Sequence, residues 1–164
     1  MIKEITTFIA AQSIALGFTQ AWTVGTNLFA GHVPVKNFLG VNIPIRYLAV
    51  LENAGGAVLS DVGGVVTATP PSTVWPKYIE KAVQLLNRAK SYFVASLDAE
   101  ELYEALHQTA GWNLPLVAPA NRQYLVCVID AYGPPAPIEN PGASGLYTFS
   151  TNYVWKIEEA SCGA

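Results

Sequence analysis

The stretch that decides the fold is residues 142–159, G-A-S-G-L-Y-T-F-S-T-N-Y-V-W-K-I-E-E. From position 147 to position 157 every second residue is large and mostly aromatic, with only Thr151 smaller, and the residues between them are mostly polar. Side chains along a strand alternate between two faces. The pattern therefore predicts a long strand with one face on a core and the other in water.

Two helices are predicted from apolar residues that recur at helical spacing. The first covers residues 2–16, and Gly17 is a natural stop for it. Its apolar side includes Leu16. The second covers residues 91–109, where Ser91 can cap the start and Gly111 can end the helix.

Several further strands and one long loop complete the sequence pattern. Residue types predict strands at 26–31, 45–52 and 123–132. Residues 77–90 are ambiguous, because their types favour a helix when they are considered alone. The Gly- and Pro-rich residues 53–76 are expected to form a long loop, and residues 160–164 a flexible tail. The order predicts a single α+β domain over 1–164, with a mainly antiparallel sheet of about 4–5 strands and two main helices packed on one face.

The composition indicates a surface that is buried in an assembly. Hydrophobic residues make up 51% of the 164 residues and charged residues only 13%, about half the usual charged share. The net charge of −3, without a basic run, argues against tight binding to nucleic acid. The N-terminus is a poor signal peptide and no apolar run is long enough to span a bilayer, so we expect a soluble protein made in a cytoplasm.

Residues that could support catalysis or metal binding are few. His32 lies in a loop, and His107 lies near a helix end, where a cation suits the helix dipole. No nucleophile motif accompanies them. Cys127 and Cys162 show no metal-site or disulfide spacing. The acids at 98–104 spread over a wide arc of the second helix and predict a solvent or subunit face. We therefore expect no catalytic residue, no metal and no cofactor.

Four stretches give the chain a resemblance to the tail-terminator (tail-completion) proteins of long-tailed bacteriophages, a group also called minor capsid proteins. They are the first helix with T-V-G-T-N-L-F-A-G-H-V-P (23–34), V-Q-L-L-N-R-A-K-S-Y (83–92), A-E-E-L-Y-E-A-L-H (99–107), and the pair Y-L-V-C-V-I-D-A-Y-G-P-P-A-P-I (124–138) and N-P-G-A-S-G-L-Y-T-F-S-T-N-Y-V-W (140–155). The resemblance implies that the second half of 77–90 is a strand and that the last pair forms a hairpin.

The resemblance implies a structural virion protein rather than an enzyme. In that family, small protomers form a ring, typically of six, that caps the head-proximal end of the tail tube, stops tube polymerisation and offers the surface to which the neck and head join. The implied partners are further copies of the chain, the major tail-tube protein and a neck or head-completion protein. Genomic DNA would pass through the lumen without specific binding. The implied location is the virion, after assembly in the host cytoplasm and without a membrane partner.

Alternatives stay open for both the role and the contact residues. The protein could instead be another neck component, such as a head-completion (stopper) protein, or a small binding module. Phe93 and Leu97 lie off the core stripe of the second helix, which predicts subunit contacts, although they could also belong to the protomer core. The other expected contact residues are Trp112 and, in the long loop, Val65, Val66 and Trp75.

Overall fold

The computed structural model describes residues 1–31, 33, 42, 44–52, 77–114, 123–139 and 145–160. In these residues the elements, in chain order, are α1 (Ile2–Ala15), β1 (Leu28–Ala30), β2 (Tyr47–Glu52), β3 (Lys77–Ala89), α2 (Tyr92–Leu106), β4 (Trp112–Leu114), β5 (Gln123–Ala131), β6 (Ala136–Glu139) and β7 (Tyr147–Ala160). The expected loop at 53–76 lies outside the described residues, and so does the expected tail apart from its first residue.

The seven strands form one sheet in the order β1-β2-β3-β7-β5-β4, with β6 also paired to β7. The predicted α+β class is confirmed. The predicted sheet was too small, because the described residues contain seven strands, and it was too uniform, because β1 runs parallel to β2. The two strands that the sequence did not reveal, β4 and β6, have only three and four residues, which is too short for a readable alternation.

The predicted long last strand is confirmed, and it lies inside the sheet with a partner on each edge. One edge of β7 pairs with β3 in an unbroken antiparallel register from Tyr147 to Glu159. The other edge pairs with β5 and β6. Its alternate large side chains are buried, as expected: Phe149, Tyr153, Trp155 and Ile157.

Strands β5 and β6 are two parts of one interrupted strand along β7. Ala131 pairs with Tyr153 and Ala136 pairs with Ser150, so four residues on this edge lie opposite two on β7. The extra residues leave the sheet as a bulge, anchored where the Tyr132 N–H donates to the Asn152 carbonyl oxygen at 2.9 Å. Pro137 in β6 has no backbone N–H to donate. The edge of the sheet at β6 is therefore a poor template for pairing with a strand of another chain.

The helical interpretation of residues 77–90 is wrong, and the strand that the resemblance implied is confirmed and longer than expected. Residues 77–89 form β3 throughout. Every second residue from Val83 to Ala89 is buried, which is the period of a strand. Pairing with β2 on one edge and β7 on the other outweighs the helix-favouring residue types.

Both helices cover the same face of the sheet, as predicted. Phe8 of α1 lies edge-on to Trp155, with ring centroids 5.8 Å apart. Tyr92 of α2 lies edge-on to Phe149, with centroids 5.1 Å apart. Trp155 and Phe149 are an even number of residues apart on β7, so they share a face. No helix among the described residues is long and apolar enough to cross a membrane.

Three details at the helix ends differ from expectation. Helix α1 stops at Ala15, so Leu16 leaves the predicted apolar side and is exposed. Ser91 is the N-cap of α2 but makes no side-chain capping hydrogen bond. Helix α2 ends at Leu106, before the expected Gly111, because Gln108 already adopts a left-handed φ of 61°.

We expect Trp155→Ala to lower the free energy of unfolding by about 3–5 kcal/mol, because it empties the centre of the core. The Trp155 indole N–H has no hydrogen-bond partner among the described residues, so Trp155→Phe sacrifices only volume and should cost less than half as much. Urea unfolding followed by circular dichroism measures both variants. Equal losses for the two variants would contradict this placement of the ring.

Candidate subunit interface

An ion pair between Arg46 and Asp98 joins the residue before β2 to the inward side of α2. The Arg46 Nε donates to Asp98 Oδ2 at 2.8 Å, and the Arg46 Nη2 donates to Asp98 Oδ1. Asp98 was expected on a solvated acidic face, but only 1% of it is exposed. Burial raises the pKa of the Asp98 carboxyl, and the hydrogen bonds from Arg46 offset part of that rise. With Asp98 turned inward, the opposite side of α2 faces solvent.

That outward side carries two large apolar residues. Phe93 is 81% exposed and Leu97 is 44% exposed, so neither belongs to the protomer core. Both positions therefore lie on the surface, as the interface hypothesis requires, and their contact with another chain stays a prediction. Exposed apolar side chains on a helix outside the core are available to a partner.

The exposed Phe93 ring touches the edge of an aromatic cluster at the start of α2. Its neighbour Tyr92 is partly exposed, and their ring centroids are 5.9 Å apart. Tyr92 in turn lies edge-on to Tyr147 at 5.7 Å and to Phe149 at 5.1 Å.

The other end of the outward side is acidic and borders a hollow. Glu100 and Glu104 are exposed on α2. Glu101 accepts a hydrogen bond from the Thr19 backbone N–H at 3.1 Å and another from the Thr19 hydroxyl. This link holds the turn after α1 against α2 and leaves an open hollow of about 310 Å³, lined by Leu16, Gly17, Phe18, Glu101, Glu104 and Ala105.

The remaining expected contact residues are not gathered on this surface. Trp112 on β4 is half-buried, and its ring lies edge-on to Phe8 with centroids 5.2 Å apart, so much of the ring packs on the core. Its indole N–H has no hydrogen-bond partner among the described residues. Val65, Val66 and Trp75 lie outside the described residues. A contact role for these four stays a prediction.

His107, which the sequence places near the end of the second helix, follows α2 and acts as a hydrogen-bond acceptor. Its Nδ1 accepts the Ala131 backbone N–H at 3.1 Å. The ring stacks on Tyr103, with centroids 4.9 Å apart. His107 therefore joins the end of α2 to β5. His32 lies outside the described residues.

Among the described residues, no group of three or more His, Cys, Asp or Glu side chains could hold a metal ion. No protein-family model matches the chain, and no curated protein matches it. The kinship with tail terminators therefore depends on the four quoted stretches and stays a hypothesis.

Sequence reasoning missed Arg46 and the inward orientation of Asp98, although a signal was present. Ala95, Asp98, Ala99 and Leu102 share one side of α2 at helical spacing, and all four are buried. An acid within a buried stripe needs a cationic partner. Arg46, next to the apolar strand β2, is such a cation.

We expect Arg46→Met to destabilise the fold by about 2–3 kcal/mol near pH 7, because it leaves the buried Asp98 carboxylate without its partner. Removing the guanidinium also raises the folded-state pKa of Asp98 further above its unfolded value. Stability of the variant then falls as pH rises from the unfolded-state pKa of Asp98 towards its higher folded-state pKa, so the loss should be smaller near pH 4 than near pH 7.

The matched control is the double variant Arg46→Met with Asp98→Leu, which removes both charges and should recover at least half of the loss. Urea unfolding at the two pH values measures all three proteins. A single variant as stable as the wild type would show that the pair does not hold α2.

Proposed function

We propose that this protein is a structural virion protein that forms a ring at the head-proximal end of a phage tail tube. There it would end tube polymerisation and present the surface that joins the neck and head. The observation that carries the proposal is the set of four family-like stretches in their order along the chain. The described part of each stretch falls on an element or its border: α1 with β1, the passage from β3 to α2, the body of α2, and the β5/β6–β7 hairpin.

The exposed side of α2 supports a role in assembly. A sheet that pairs β7 on both edges provides a rigid platform, and α2 is fixed on it with Phe93 and Leu97 outward. Burying each of these side chains against a neighbour contributes roughly 1.5–3 kcal/mol. A contact between two different surfaces of identical protomers closes into a ring when the rotation allows it.

The charge of the chain suits a conduit for DNA. Tight binding of DNA depends on clustered Lys and Arg that displace counterions from phosphates. This chain has nine Lys and Arg against twelve Asp and Glu, with a net charge of −3. A lumen built from such protomers would let DNA pass without gripping it. On this proposal the protein acts by presenting a surface complementary to its partners, and the residues that matter are contact residues on several elements.

The proposal is tested by the position and copy number of the protein in purified virions. We expect about six copies at the junction of head and tail tube, visible by cryo-electron microscopy of the particle. Loss of the protein should give tube-like tails of uncontrolled length that do not join heads. A neck or stopper protein would instead leave tail length normal when it is lost. Absence from the virion would refute the proposal.

We expect Phe93→Glu to abolish incorporation into the particle and to change the free energy of unfolding by less than about 0.5 kcal/mol, because the side chain lies in solvent. Tyr132→Glu is the matched control, since Tyr132 is 77% exposed on the bulge between β5 and β6 and lies outside the expected contact set. Incorporation measured by immunoblotting of purified particles should survive the control. If the Phe93 variant instead fails to fold, Phe93 is part of the protomer core and the interface assignment is wrong.

A further inference from the structure

The sheet face opposite the two helices carries a half-buried cation on one of its inner strands. Arg88 of β3 pairs with Tyr47 of β2 on one side and with Thr148 of β7 on the other. Residues paired across antiparallel strands share a face. Thr148 is one residue from Phe149, whose ring meets α2, so this row of three lies on the face away from the helices. Arg88 is half-buried, whereas Tyr47 is only 8% exposed and Thr148 only 4% exposed.

The Arg88 guanidinium is fixed between two hydroxyl groups. Its Nε donates to the Thr148 Oγ1 at 2.9 Å, and its Nη1 donates to the Tyr47 hydroxyl oxygen at 3.0 Å. The Tyr47 ring in turn lies edge-on to Phe29, with ring centroids 6.1 Å apart. One hydrogen bond to each neighbouring strand holds the planar group in a single orientation, so its donors are placed before any ligand arrives.

This group of side chains has more hydrogen-bond donors than acceptors. A guanidinium has five N–H donors and no acceptor, and two of the five are used here. The Tyr47 and Thr148 oxygens each accept one of these bonds, so their own hydroxyl hydrogens remain to be donated elsewhere. Within the described parts of the chain, neither these two hydrogens nor those on the Arg88 Nη2 meet an acceptor. The row therefore presents a set of donors around one positive charge.

Arg88 also lacks an acidic partner among the described residues, although neighbouring cations of the sheet have one. Lys81, on the same strand, pairs with Glu52, and the Lys156 Nζ lies 3.4 Å from the Asp130 Oδ2. Arg88 meets only neutral hydroxyl oxygens. A charge that is partly removed from water is stabilised when an opposite charge accepts its hydrogen bonds. The missing component of this site is an anion.

A single carboxylate suits the site better than a phosphate. A carboxylate is planar, and its two oxygens match the fork of a guanidinium. It also carries one negative charge, which the one positive charge of Arg88 neutralises, while the two hydroxyl groups add donors without adding charge. A phosphate group carries more than one negative charge near pH 7, so it would leave an excess of negative charge at this site.

We propose that Arg88, Tyr47 and Thr148 form a binding site for one carboxylate group of another molecule. The guanidinium supplies the charge and a pair of N–H donors, and the two hydroxyls orient the guanidinium and donate from its flanks. This inference does not rest on the proposed virion role, because it uses the sheet face away from α2. A failure of either proposal leaves the other standing.

Acetate titration of the full ¹⁵N-labelled chain tests the site, with sodium acetate replacing sodium chloride at constant ionic strength near pH 7. The chain has three arginines, Arg46, Arg88 and Arg122, so the side-chain Nε–H spectrum contains few signals. The signal lost in Arg88→Lys is that of Arg88. We expect it to shift along a saturable curve, half complete below about 100 mM acetate. The Arg46 Nε–H already donates to Asp98 and should move little, which makes it an internal control.

Two variants each remove one hydroxyl and keep the Arg88 signal. Tyr47→Phe and Thr148→Val should each weaken acetate binding by about fivefold, because each removes one hydrogen bond from the site. Tyr132→Phe is the matched control, since it removes a phenol hydroxyl from the exposed bulge and should leave acetate binding unchanged. Backbone amide shifts outside the row show whether each variant keeps the fold.

Two capped tripeptides distinguish the source of the carboxylate. Ala-Glu-Ala presents a carboxylate on a polypeptide side chain, and Ala-Gln-Ala is its neutral counterpart. Saturable binding of the Glu peptide but not of the Gln peptide supports an acidic side chain of a partner protein as the occupant. Binding of acetate without binding of the Glu peptide supports a small carboxylate ligand instead.

Glu139 provides the most stringent arm of the test, because the register of β6 places it opposite Thr148. If acetate binds only after Glu139→Gln, the chain supplies the carboxylate itself and the inference is overturned. A shift of the Arg88 signal that stays linear in acetate, or that is equal in the two hydroxyl variants, also overturns it. Saturable binding of inorganic phosphate without binding of acetate would contradict the assignment to a carboxylate.

Discussion

The structure depends on the pairing of β7 along both of its edges. With β3 on one edge and β5 and β6 on the other, the strand lies within the sheet, and its alternate side chains must all find cover on one face. Both helices provide that cover, α1 through Phe8 on Trp155 and α2 through Tyr92 on Phe149. The position of each helix therefore follows from the aromatic period of a single strand.

The ion pair between Arg46 and Asp98 reinforces an orientation of α2 that hydrophobic packing also favours. Leu102 and Leu106 are buried in the main core, and the small Ala95 and Ala99 allow a close approach of the helix to the sheet. The Asp98 carboxylate lies on the same inward side and meets the Arg46 guanidinium there. This orientation leaves Phe93 and Leu97 on the solvent side of the helix.

The sequence predicted those elements in which buried and exposed residues alternate regularly along the element itself. Strand β7 and helix α2 each bury one side of many residues, so their periods of two and 3.6 are readable. The first half of β3 could not be predicted as a strand, because its residue types favour a helix. Its strand conformation comes from pairing with neighbouring strands on both edges. Strands β4 and β6 are too short to show a period, and β6 is separated from β5 only by the bulge that begins at Tyr132.

The contact surface was predictable only in part. Phe93 and Leu97 stand out in the sequence because they fall off the core stripe of their helix, and the structure places both in solvent. The hollow beside Glu104 could not be inferred, since it forms where the turn at Leu16–Phe18 meets α2 after folding. Asp98 was misplaced because an acid is usually solvated, and its partner Arg46 lies 52 residues away in the chain.

The most direct measurement of the central claim, that the outward side of α2 is an association surface, is photo-crosslinking from position 93. A photoreactive phenylalanine analogue there replaces a side chain that is already exposed, so the fold should be unaffected. The account predicts crosslinks to a second chain, identified by mass spectrometry. Crosslinks confined to the same chain, or none above the level of an analogue at position 132, would contradict it.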